Sequence, residues 1–305
     1  MTIAYITHPD CSLHDPGRGH PECPERLQSI ANALQHFSPD SILSYEQAPL
    51  ALQEQLSLVH DKKYIDTIFQ LAPKQGLIEI DSDTRMNPYT LSAALRAAGA
   101  VIRAVDLVLS NKVNTAFCSI RPPGHHAERA RAMGFCFFNN IAVGIAHALE
   151  QYHLKRIALI DFDVHRGNGT DDIFQNNKKV LICSMYEHFL YPLTESLNAK
   201  NIINIPLTSY STGREFREKF TQQGLDKIKK FKPELIFISA GFDGYMNDYI
   251  STLNLTEFDY LWITKQIKQL ADDFCQGRII SALEGGYDLE ALGNCVVAHI
   301  KGLLN

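Results

Sequence analysis

Short runs of Ile, Val and Leu alternate along the whole chain with longer segments in which apolar residues recur with helical spacing. The short runs predict strands buried on both faces, and the longer segments predict amphipathic helices. The predicted strands are Ile3–Ile6, Thr115–Ser119, Arg156–Ile160, Val180–Ser184, Ile202–Ile205, Leu235–Ser239 and Arg278–Leu283. The predicted helices are Glu25–Phe37, Glu54–Leu71, Pro88–Leu109, Ile141–Tyr152, Gly213–Lys230, Thr256–Phe274 and Leu289–Leu304.

This alternation predicts an α/β fold, with one open parallel β-sheet flanked by helices on both faces. No repeat, low-complexity segment or linker-like change in composition interrupts the pattern, so we expect a single domain over residues 1–305. Ligands of such sheets bind beyond the carboxyl ends of the strands. The loops that follow the strands are therefore where we expect the functional residues.

The bulk composition narrows the class of protein without identifying it. Of the 305 residues, 45% are hydrophobic and 21% are charged, which is typical of a soluble chain with a sizeable core. The net charge of −5 argues against direct binding to nucleic acid, because such binding requires clustered Lys and Arg.

Cysteine usage and the lack of a recognisable targeting segment predict a cytoplasmic protein. The seven cysteines are odd in number and include no C-x-x-C pair, which is typical of reduced intracellular chains. No signal peptide is recognisable, and the longest apolar run, Ile141–Leu149, is too short to span a bilayer. The sequence leaves export, a nuclear location and the oligomeric state open.

The segment from Ile157 to His165 is the most informative part of the chain. An apolar strand leads into Asp161, Asp163 and His165 at alternate positions, and alternate residues of an extended backbone share one face. Carboxylate oxygens and an imidazole nitrogen together suit a divalent cation such as zinc. The competing interpretation is a polar turn in which an aspartate caps a helix that begins near Thr170.

A second strand end supplies a third candidate ligand. Asp243 follows the predicted strand Leu235–Ser239, and with Asp163 and His165 it would leave a fourth coordination position open, as in catalytic zinc sites. Alone, Asp243 would also suit the N-cap of a helix. Asp161 lies on the same face, but the three ligands already named leave no place for it at the metal. We therefore expect Asp161 to orient an imidazole from outside the ligand set.

Two further loops carry residues suited to acid–base chemistry. His125 and His126 follow the strand Thr115–Ser119, and an imidazole near a metal site can act as general base and later as general acid. Tyr287 follows two glycines after the strand Arg278–Leu283. Its hydroxyl could donate a hydrogen bond to a developing oxyanion, or the ring could simply pack at the strand end.

Apolar residues near these loops suggest the walls of a narrow binding site. Gly134 and Phe135 open an aromatic segment just after the histidine loop, and Tyr191 could supply the opposite wall. All three positions are equally compatible with ordinary packing.

Taken together, these segments resemble the histone deacetylase family of the arginase–deacetylase superfamily, and most closely its class II and bacterial branch. The similarity runs in the family's order through nearly the whole chain, so it implies one deacetylase-like catalytic domain. The matching segments are His20–Leu27, Arg121–His126, Gly134–Asn140, Asp161–Thr170, Ser239–Asp243 and Leu283–Tyr287.

The resemblance implies roles for individual residues. One zinc ion per chain would be held by Asp163, His165 and Asp243. The catalytic residues would be the general base His126, its orienting partner Asn168, the paired His125 and Asp161, and the oxyanion donor Tyr287. A structural potassium ion would be bound by oxygens around Asp161, Asp163, His165 and Ser184. The acyl-lysine tunnel would be lined by Gly134, Phe135 and Tyr191, with Arg26 beneath it.

One residue departs from the family pattern. Arg166 stands where the family usually has a second histidine. That position is not a metal ligand in the family, so the departure leaves the expected catalysis intact. The added positive charge could shift the pH profile or the metal affinity.

The leading hypothesis is a zinc-dependent deacetylase that hydrolyses the acetyl amide of N6-acetyl-lysine in proteins by metal-activated water. The alternative is an acetylpolyamine or other small-molecule amidohydrolase. Polyamine deacetylases of the family tend to carry an acidic residue at the position of Ile250, so Ile250 offers a cationic substrate no counter-charge and argues against one. Asp248, which lies nearby, weakens this argument slightly. A binuclear arginase-like enzyme would need a carboxylate at Gly167, and an inactive acetyl-lysine-binding scaffold would lack ligands that this chain retains.

Overall fold

The computed structural model describes residues 2–37, 42–194 and 197–304. Their strands, numbered in chain order, are β1 (Ile3–Thr7), β2 (Leu43–Gln47), β3 (Ile78–Glu79), β4 (Arg85–Met86), β5 (Thr115–Cys118), β6 (Ile157–Asp161), β7 (Val180–Glu187), β8 (Ile202–Leu207), β9 (Leu235–Ala240) and β10 (Ile279–Leu283). Eight strands form one parallel sheet in the order β2-β1-β5-β10-β9-β6-β7-β8, and β3 pairs with β4 in an antiparallel hairpin.

Helices connect the strands and flank the sheet, as the α/β pattern predicts. They are α1 (Asp10–Leu13), α2 (Glu25–Phe37), α3 (Gln53–Leu56), α4 (Lys62–Leu71), α5 (Thr90–Leu109), α6 (Asn140–Gln151), α7 (Asn168–Phe174), α8 (Gly213–Lys219), α9 (Asp226–Phe231), α10 (Glu257–Cys275) and α11 (Leu292–Leu304). A π-helical segment, Phe220–Leu225, joins α8 to α9. Within the described ranges, no helix has both the length and the apolar character needed to cross a bilayer.

All seven predicted strands are confirmed. Three strands of the described residues were missed: β2 lies at an edge of the large sheet, and β3 and β4 form the hairpin of two residues each. Every residue of β6 and β9, at the centre, is buried, and continuous burial produces the apolar runs that sequence reading detects. In β2, buried Leu43 is followed by partly and fully exposed residues, including Glu46. An edge strand has a neighbour on one side only, so its pattern is weaker.

Two of the predicted helices are interrupted. The predicted helix Glu54–Leu71 is two helices, α3 and α4, because Asp61 donates its backbone N–H to the carbonyl of Arg129, at 2.9 Å. His60 beside it hydrogen-bonds through both ring nitrogens, to Glu128 O and to the N–H of Asn139. The predicted helix Gly213–Lys230 is interrupted by the π-helical segment between α8 and α9. Helix α7 was not among the predicted helices, because its seven residues are too few for a helical period to be recognised.

The order of the strands brings the loops with the candidate site residues together. β5, β10, β9 and β6 are consecutive neighbours, and all four run parallel. Their carboxyl ends therefore lie along one stretch of the same edge, and their following loops carry the histidine pair, Tyr287, Asp243 and the Asp163–His165 segment. Asp161, at the end of β6, is in register with Ser239 of β9 and with Ser184 of β7.

Candidate active site

Asp163, His165 and Asp243 form a buried cluster just beyond β6 and β9. One potential ligand atom from each residue lies within 4.8 Å of the others. His165 Nδ1 is 3.0 Å from Asp163 Oδ1 and 3.1 Å from Asp243 Oδ2. The backbone supports this arrangement, because Asp163 Oδ1 accepts the N–H of His165 and Asp243 Oδ1 accepts the N–H of Val164. The turn after β6 thus orients its own carboxylate and the one from β9.

The donor set fits a divalent cation. Asp243 Oδ2 is buried and has no partner in hydrogen-bonding geometry among the described residues, although His165 Nδ1 lies nearby. Burial, and then the neighbouring Asp163 carboxylate, raise the pKa of Asp243. Two buried carboxylates side by side are costly without a compensating positive charge. Two oxygens and one nitrogen, with a position left open, match the ligands of a catalytic zinc site.

Gly285 allows the Tyr287 loop to approach this cluster closely. A Cβ atom at Gly285 would lie 2.0 Å from Asp243 Oδ2 and 2.6 Å from Asp163 Oδ2, closer than atoms can pack. The glycine N–H instead donates to Asp163 Oδ2 at 2.8 Å. The loop that carries Tyr287 is therefore anchored directly on a candidate metal ligand.

The two histidines face different partners. His125 Nδ1 donates to Asp161 Oδ2 at 3.0 Å, and His126 Nδ1 donates to Asn168 Oδ1 at 2.7 Å. Asn168 donates its own amide N–H to Glu128 Oε1 at 2.8 Å, which fixes the orientation of its oxygen toward His126. Each imidazole is thus protonated at Nδ1, and His126 keeps Nε2 free to exchange a proton.

The same environment separates the pKa values of the two rings. Burial alone would lower the pKa of His125, but the carboxylates of Asp163 and Asp161 outweigh it and raise this pKa well above its usual range. Burial lowers the pKa of His126 well below its usual range, and the neighbouring rings of His125 and His165 lower it further. A charged imidazole beside a neutral one is the division of roles that acid–base catalysis uses.

Tyr287 is buried, and its backbone is held from two sides. Its N–H donates to Asp248 Oδ2 at 2.6 Å. Arg26 lies beneath the ring, with Cζ 4.8 Å from the ring centroid, and its Nε donates to the carbonyl of Gly286 at 2.7 Å. Burial raises the pKa of Tyr287 well above its usual range, so the hydroxyl stays protonated and can act as a donor.

A cavity of about 200 Å³, here called the central cavity, opens above these groups. Its lining residues are Asp83, His126, Gly134, Phe135, His165, Tyr191, Ile250 and Tyr287. The ring centroid of Phe135 is 5.9 Å from that of Tyr287, and the ring centroid of Tyr191 is 5.0 Å from that of His126. The four residues expected at the substrate site, Gly134, Phe135, Tyr191 and Ile250, all lie on this cavity.

Asp83 is a lining residue that the sequence interpretation missed. It lies between β3 and β4, where no buried strand marks a functional loop, and the two aspartates of Asp81-Ser82-Asp83 were the one available signal. Its Oδ1 accepts the N–H of Gly134 at 3.2 Å. Ile250 was expected to leave a cationic substrate without a counter-charge at the cavity. That reasoning was incomplete, because the Asp83 carboxyl faces the same space.

Ser184 lies where the potassium site was expected. It is the register partner of Asp161 in the neighbouring strand. Its Oγ is buried and has no hydrogen-bond partner in the described part of the chain. An orphaned hydroxyl oxygen beside a carboxylate is compatible with an oxygen-ligated cation.

Comparison with known proteins identifies the class that this fold and site define. Residues 20–303 match the histone deacetylase domain, and the chain belongs to the histone deacetylase family. The crystal structure of the HDA15 HD domain superposes with a TM-score of 0.92 at 31% identity, over 99% of this chain and 88% of that chain.

The names of the curated sequence relatives refer to different substrates. Histone deacetylase 14, chloroplastic, of Arabidopsis thaliana is 36% identical over 93% of this chain and 73% of its own length. Polyamine deacetylase HDAC10 of Mus musculus is 33% identical over 100% of this chain and 48% of its own length. The chain spans 21% of the length of one curated relative and 99% of the length of another.

Proposed function

We propose that this chain is a zinc-dependent deacetylase that hydrolyses the acetyl amide of N6-acetyl-lysine in proteins or peptides. The observation that carries the proposal is the convergence of three functions at the base of one narrow cavity. A three-residue metal-ligand cluster, a neutral imidazole and a protonated phenol all meet there. Chelation and reloading of the protein, followed by measurement of acetate release from an acetyl-lysine peptide, tests it.

The proposed zinc ligands are Asp163 Oδ, His165 Nδ1 and Asp243 Oδ2. Zinc, when bound, would supply a Lewis acid that polarises the acyl carbonyl and makes water more acidic. We also propose a structural potassium ion at the oxygens around Asp161 and Ser184, with Asp163 and His165 contributing. Oxygen donors favour such a hard cation over zinc.

The side chains divide the proton transfers and the charge stabilisation between them. His126, neutral and oriented by Asn168, accepts a proton from the attacking water and later delivers it to the leaving amine. Tyr287 donates a hydrogen bond to the carbonyl oxygen as negative charge develops there. His125, charged and paired with Asp161, stabilises negative charge from outside the reacting atoms.

The shape of the central cavity supports an acyl-lysine substrate. Phe135, Tyr191 and Ile250 provide apolar walls, which suit the hydrocarbon part of a lysine side chain in extended form. Tyr191, beside His126 and His165, would also border the acyl group. The rest of the protein or peptide would remain outside, at the rim. We place this activity in the cytoplasm, on the cysteine usage described above.

A second candidate function is deacetylation of polyamines. It is favoured by the Asp83 carboxyl, which lines the central cavity and offers a cation a partner. It is also favoured by the similarity to the mouse polyamine deacetylase. Because Phe135, Tyr191 and Ile250 make the cavity walls mainly apolar, we rank this candidate second.

The ligand cluster predicts one zinc equivalent per chain. Asp163→Asn and Asp243→Asn should each lower the bound zinc to well under one equivalent, because each removes a charged ligand. Elemental analysis of purified protein measures this directly, and Asp171→Asn serves as a control outside the ligand set. Two equivalents of zinc in active protein, or full activity after exhaustive chelation, would contradict the prediction.

The identity of residue 250 should set the preference between peptides and polyamines. Ile250→Glu should raise kcat/KM for N-acetylspermidine relative to an acetyl-lysine peptide by about fivefold, which is the worth of a partly exposed ion pair. Ile250→Gln, which has the shape of the glutamate variant without its charge, should leave the ratio near that of the wild type. An unchanged ratio in Ile250→Glu would show that the cavity rim does not select by charge.

A further inference from the structure

Arg166 connects three separate parts of the site. It directly follows His165, and its side chain is buried. Nη1 lies 3.2 Å from Asp171 Oδ2 in α7, the helix that begins at Asn168. Nη2 donates to Thr194 Oγ1 at 2.5 Å and to the Thr194 carbonyl oxygen at 3.3 Å. One side chain therefore ties the metal-ligand turn to α7 and to the segment around Thr194.

Residues 188–194, here called the Tyr191 loop, line two cavities. Tyr191 faces the central cavity, whereas Leu190 and Pro192 line a second cavity of about 280 Å³. Arg166 and Thr194 also line this second cavity, here called the rear cavity. The Tyr191 loop thus borders open space, and Leu190 is the residue of the loop that also packs against the hydrophobic core.

Few hydrogen bonds anchor the Tyr191 loop. At its start, His188 donates its N–H to the carbonyl of Leu207 at 2.7 Å. Beyond that residue, within the part of the chain that the structure describes, the bonds from Arg166 to Thr194 are the hydrogen bonds that join residues 189–194 to a distant segment. The contact between Arg166 and Thr194 therefore contributes to the position of Tyr191, beside the packing of Leu190 on the hydrophobic core.

Tyr191 lies at the reactive end of the central cavity. Its ring centroid is 5.0 Å from that of His126 and 6.3 Å from that of His165. An acyl group placed for attack next to these residues would be bounded on one side by this ring. A shift of the Tyr191 loop into the rear cavity would widen the space at that point.

We infer that Arg166 is a positioning residue that determines acyl-chain specificity. By holding Thr194, it keeps the Tyr191 loop pressed toward the metal-ligand turn and so limits the central cavity to a short acyl group. This inference rests on the proposed deacylase function, because it concerns the acyl end of that substrate.

Acyl-chain selectivity tests the inference. Arg166→Ala should raise the ratio of kcat/KM for a butyryl-lysine peptide over an acetyl-lysine peptide by about tenfold, since extra methylenes in a tight pocket are costly. The loss for the acetyl peptide should appear mainly in KM. Arg166→Lys keeps a donor for Thr194 and should retain the wild-type ratio. A protein that merely folds less well would lose activity toward both peptides equally.

Substitutions at the partners separate the two contacts of Arg166. Thr194→Val removes the hydroxyl acceptor without touching the metal-ligand turn, and should raise the ratio by about threefold, the worth of one hydrogen bond. Asp171→Asn leaves both bonds to Thr194 in place and should leave the ratio unchanged. The double variant Arg166→Ala/Thr194→Val should show no larger shift than Arg166→Ala alone.

Hydrogen exchange provides a readout that does not need turnover. The backbone amides of residues 189–194 other than Pro192 should exchange faster in Thr194→Val and Arg166→Ala than in the wild type and Asp171→Asn. Unchanged exchange and an unchanged acyl ratio in Thr194→Val would overturn the inference. Wild-type protein without activity on any acyl-lysine peptide would refute the proposed function instead, and the exchange comparison would still decide whether Arg166 holds the loop.

Discussion

Tyr287→Phe is expected to lower kcat by about 10²–10³-fold, which is the usual cost of removing one oxyanion donor. The substitution deletes the hydroxyl and nothing else, because the backbone N–H of residue 287 still donates to Asp248. The ring also keeps its edge contact with Phe135 and its stacking on Arg26. A loss of this size would therefore be a loss of transition-state stabilisation.

Steady-state kinetics and zinc analysis together measure this effect. The zinc content of Tyr287→Phe should equal that of the wild type, because the hydroxyl is not part of the ligand cluster. KM for the acetyl-lysine peptide should change much less than kcat. Turnover near the wild-type level would mean that Tyr287 only packs against its neighbours.

His126→Ala is expected to lower kcat by about 10²–10⁴-fold, the usual contribution of a general acid–base group. The ring is neutral, is oriented by Asn168, and faces the central cavity. Its proposed proton transfers would occur in the transition state and not in substrate binding, so KM should change little.

His125→Ala provides the matched comparison. His125 is held by Asp161, and the carboxylates of Asp163 and Asp161 raise its pKa, so the role we propose for it is electrostatic. Its removal should lower kcat less than the removal of His126. Zinc analysis of both variants checks that the ligand cluster is intact. Small and equal losses from the two substitutions would refute the division of roles between the histidines.

The central strands of the sheet could be predicted from the sequence, because strands that are buried on both faces consist of nearly continuous apolar residues. β6 and β9 are buried at every residue, and their sequences are almost wholly apolar. Edge strand β2 and short helix α7 have no comparably clear pattern of apolar residues. The break between α3 and α4 depends on hydrogen bonds to residues about 70 positions away, such as that of His60 with Glu128, at a separation of 68. Local periodicity contains no information on such contacts.

The candidate ligands could be predicted for a similar reason. Asp163, His165 and Asp243 each follow a central strand, so the parallel topology alone places them at one edge. Asp83 and Glu128 could not be predicted in this way. Each reaches the site through a loop whose position depends on tertiary contacts. Asp83 comes from the β3–β4 hairpin, and Glu128 accepts a hydrogen bond from Asn168.

The supporting role of Asp248 also depends on tertiary structure. It accepts the N–H of Tyr287 with one carboxylate oxygen and the N–H of Ile250 with the other. It therefore links the candidate oxyanion donor to the cavity rim, although Tyr287 lies 39 residues further along the chain. Sequence reading placed Asp248 near the cavity only as a charge adjacent to Ile250.

Acetate release by the zinc-loaded wild-type protein tests the proposed function most directly. An acetyl-lysine peptide and N-acetylspermidine should be compared at equal concentrations, each with and without a chelator. We expect acetate release from both the peptide and, more slowly, the polyamine, with both activities lost on chelation and restored by one equivalent of zinc. Faster release from N-acetylspermidine would overturn the protein-lysine assignment, and no release from either substrate by the zinc-loaded protein would contradict the deacetylase function itself.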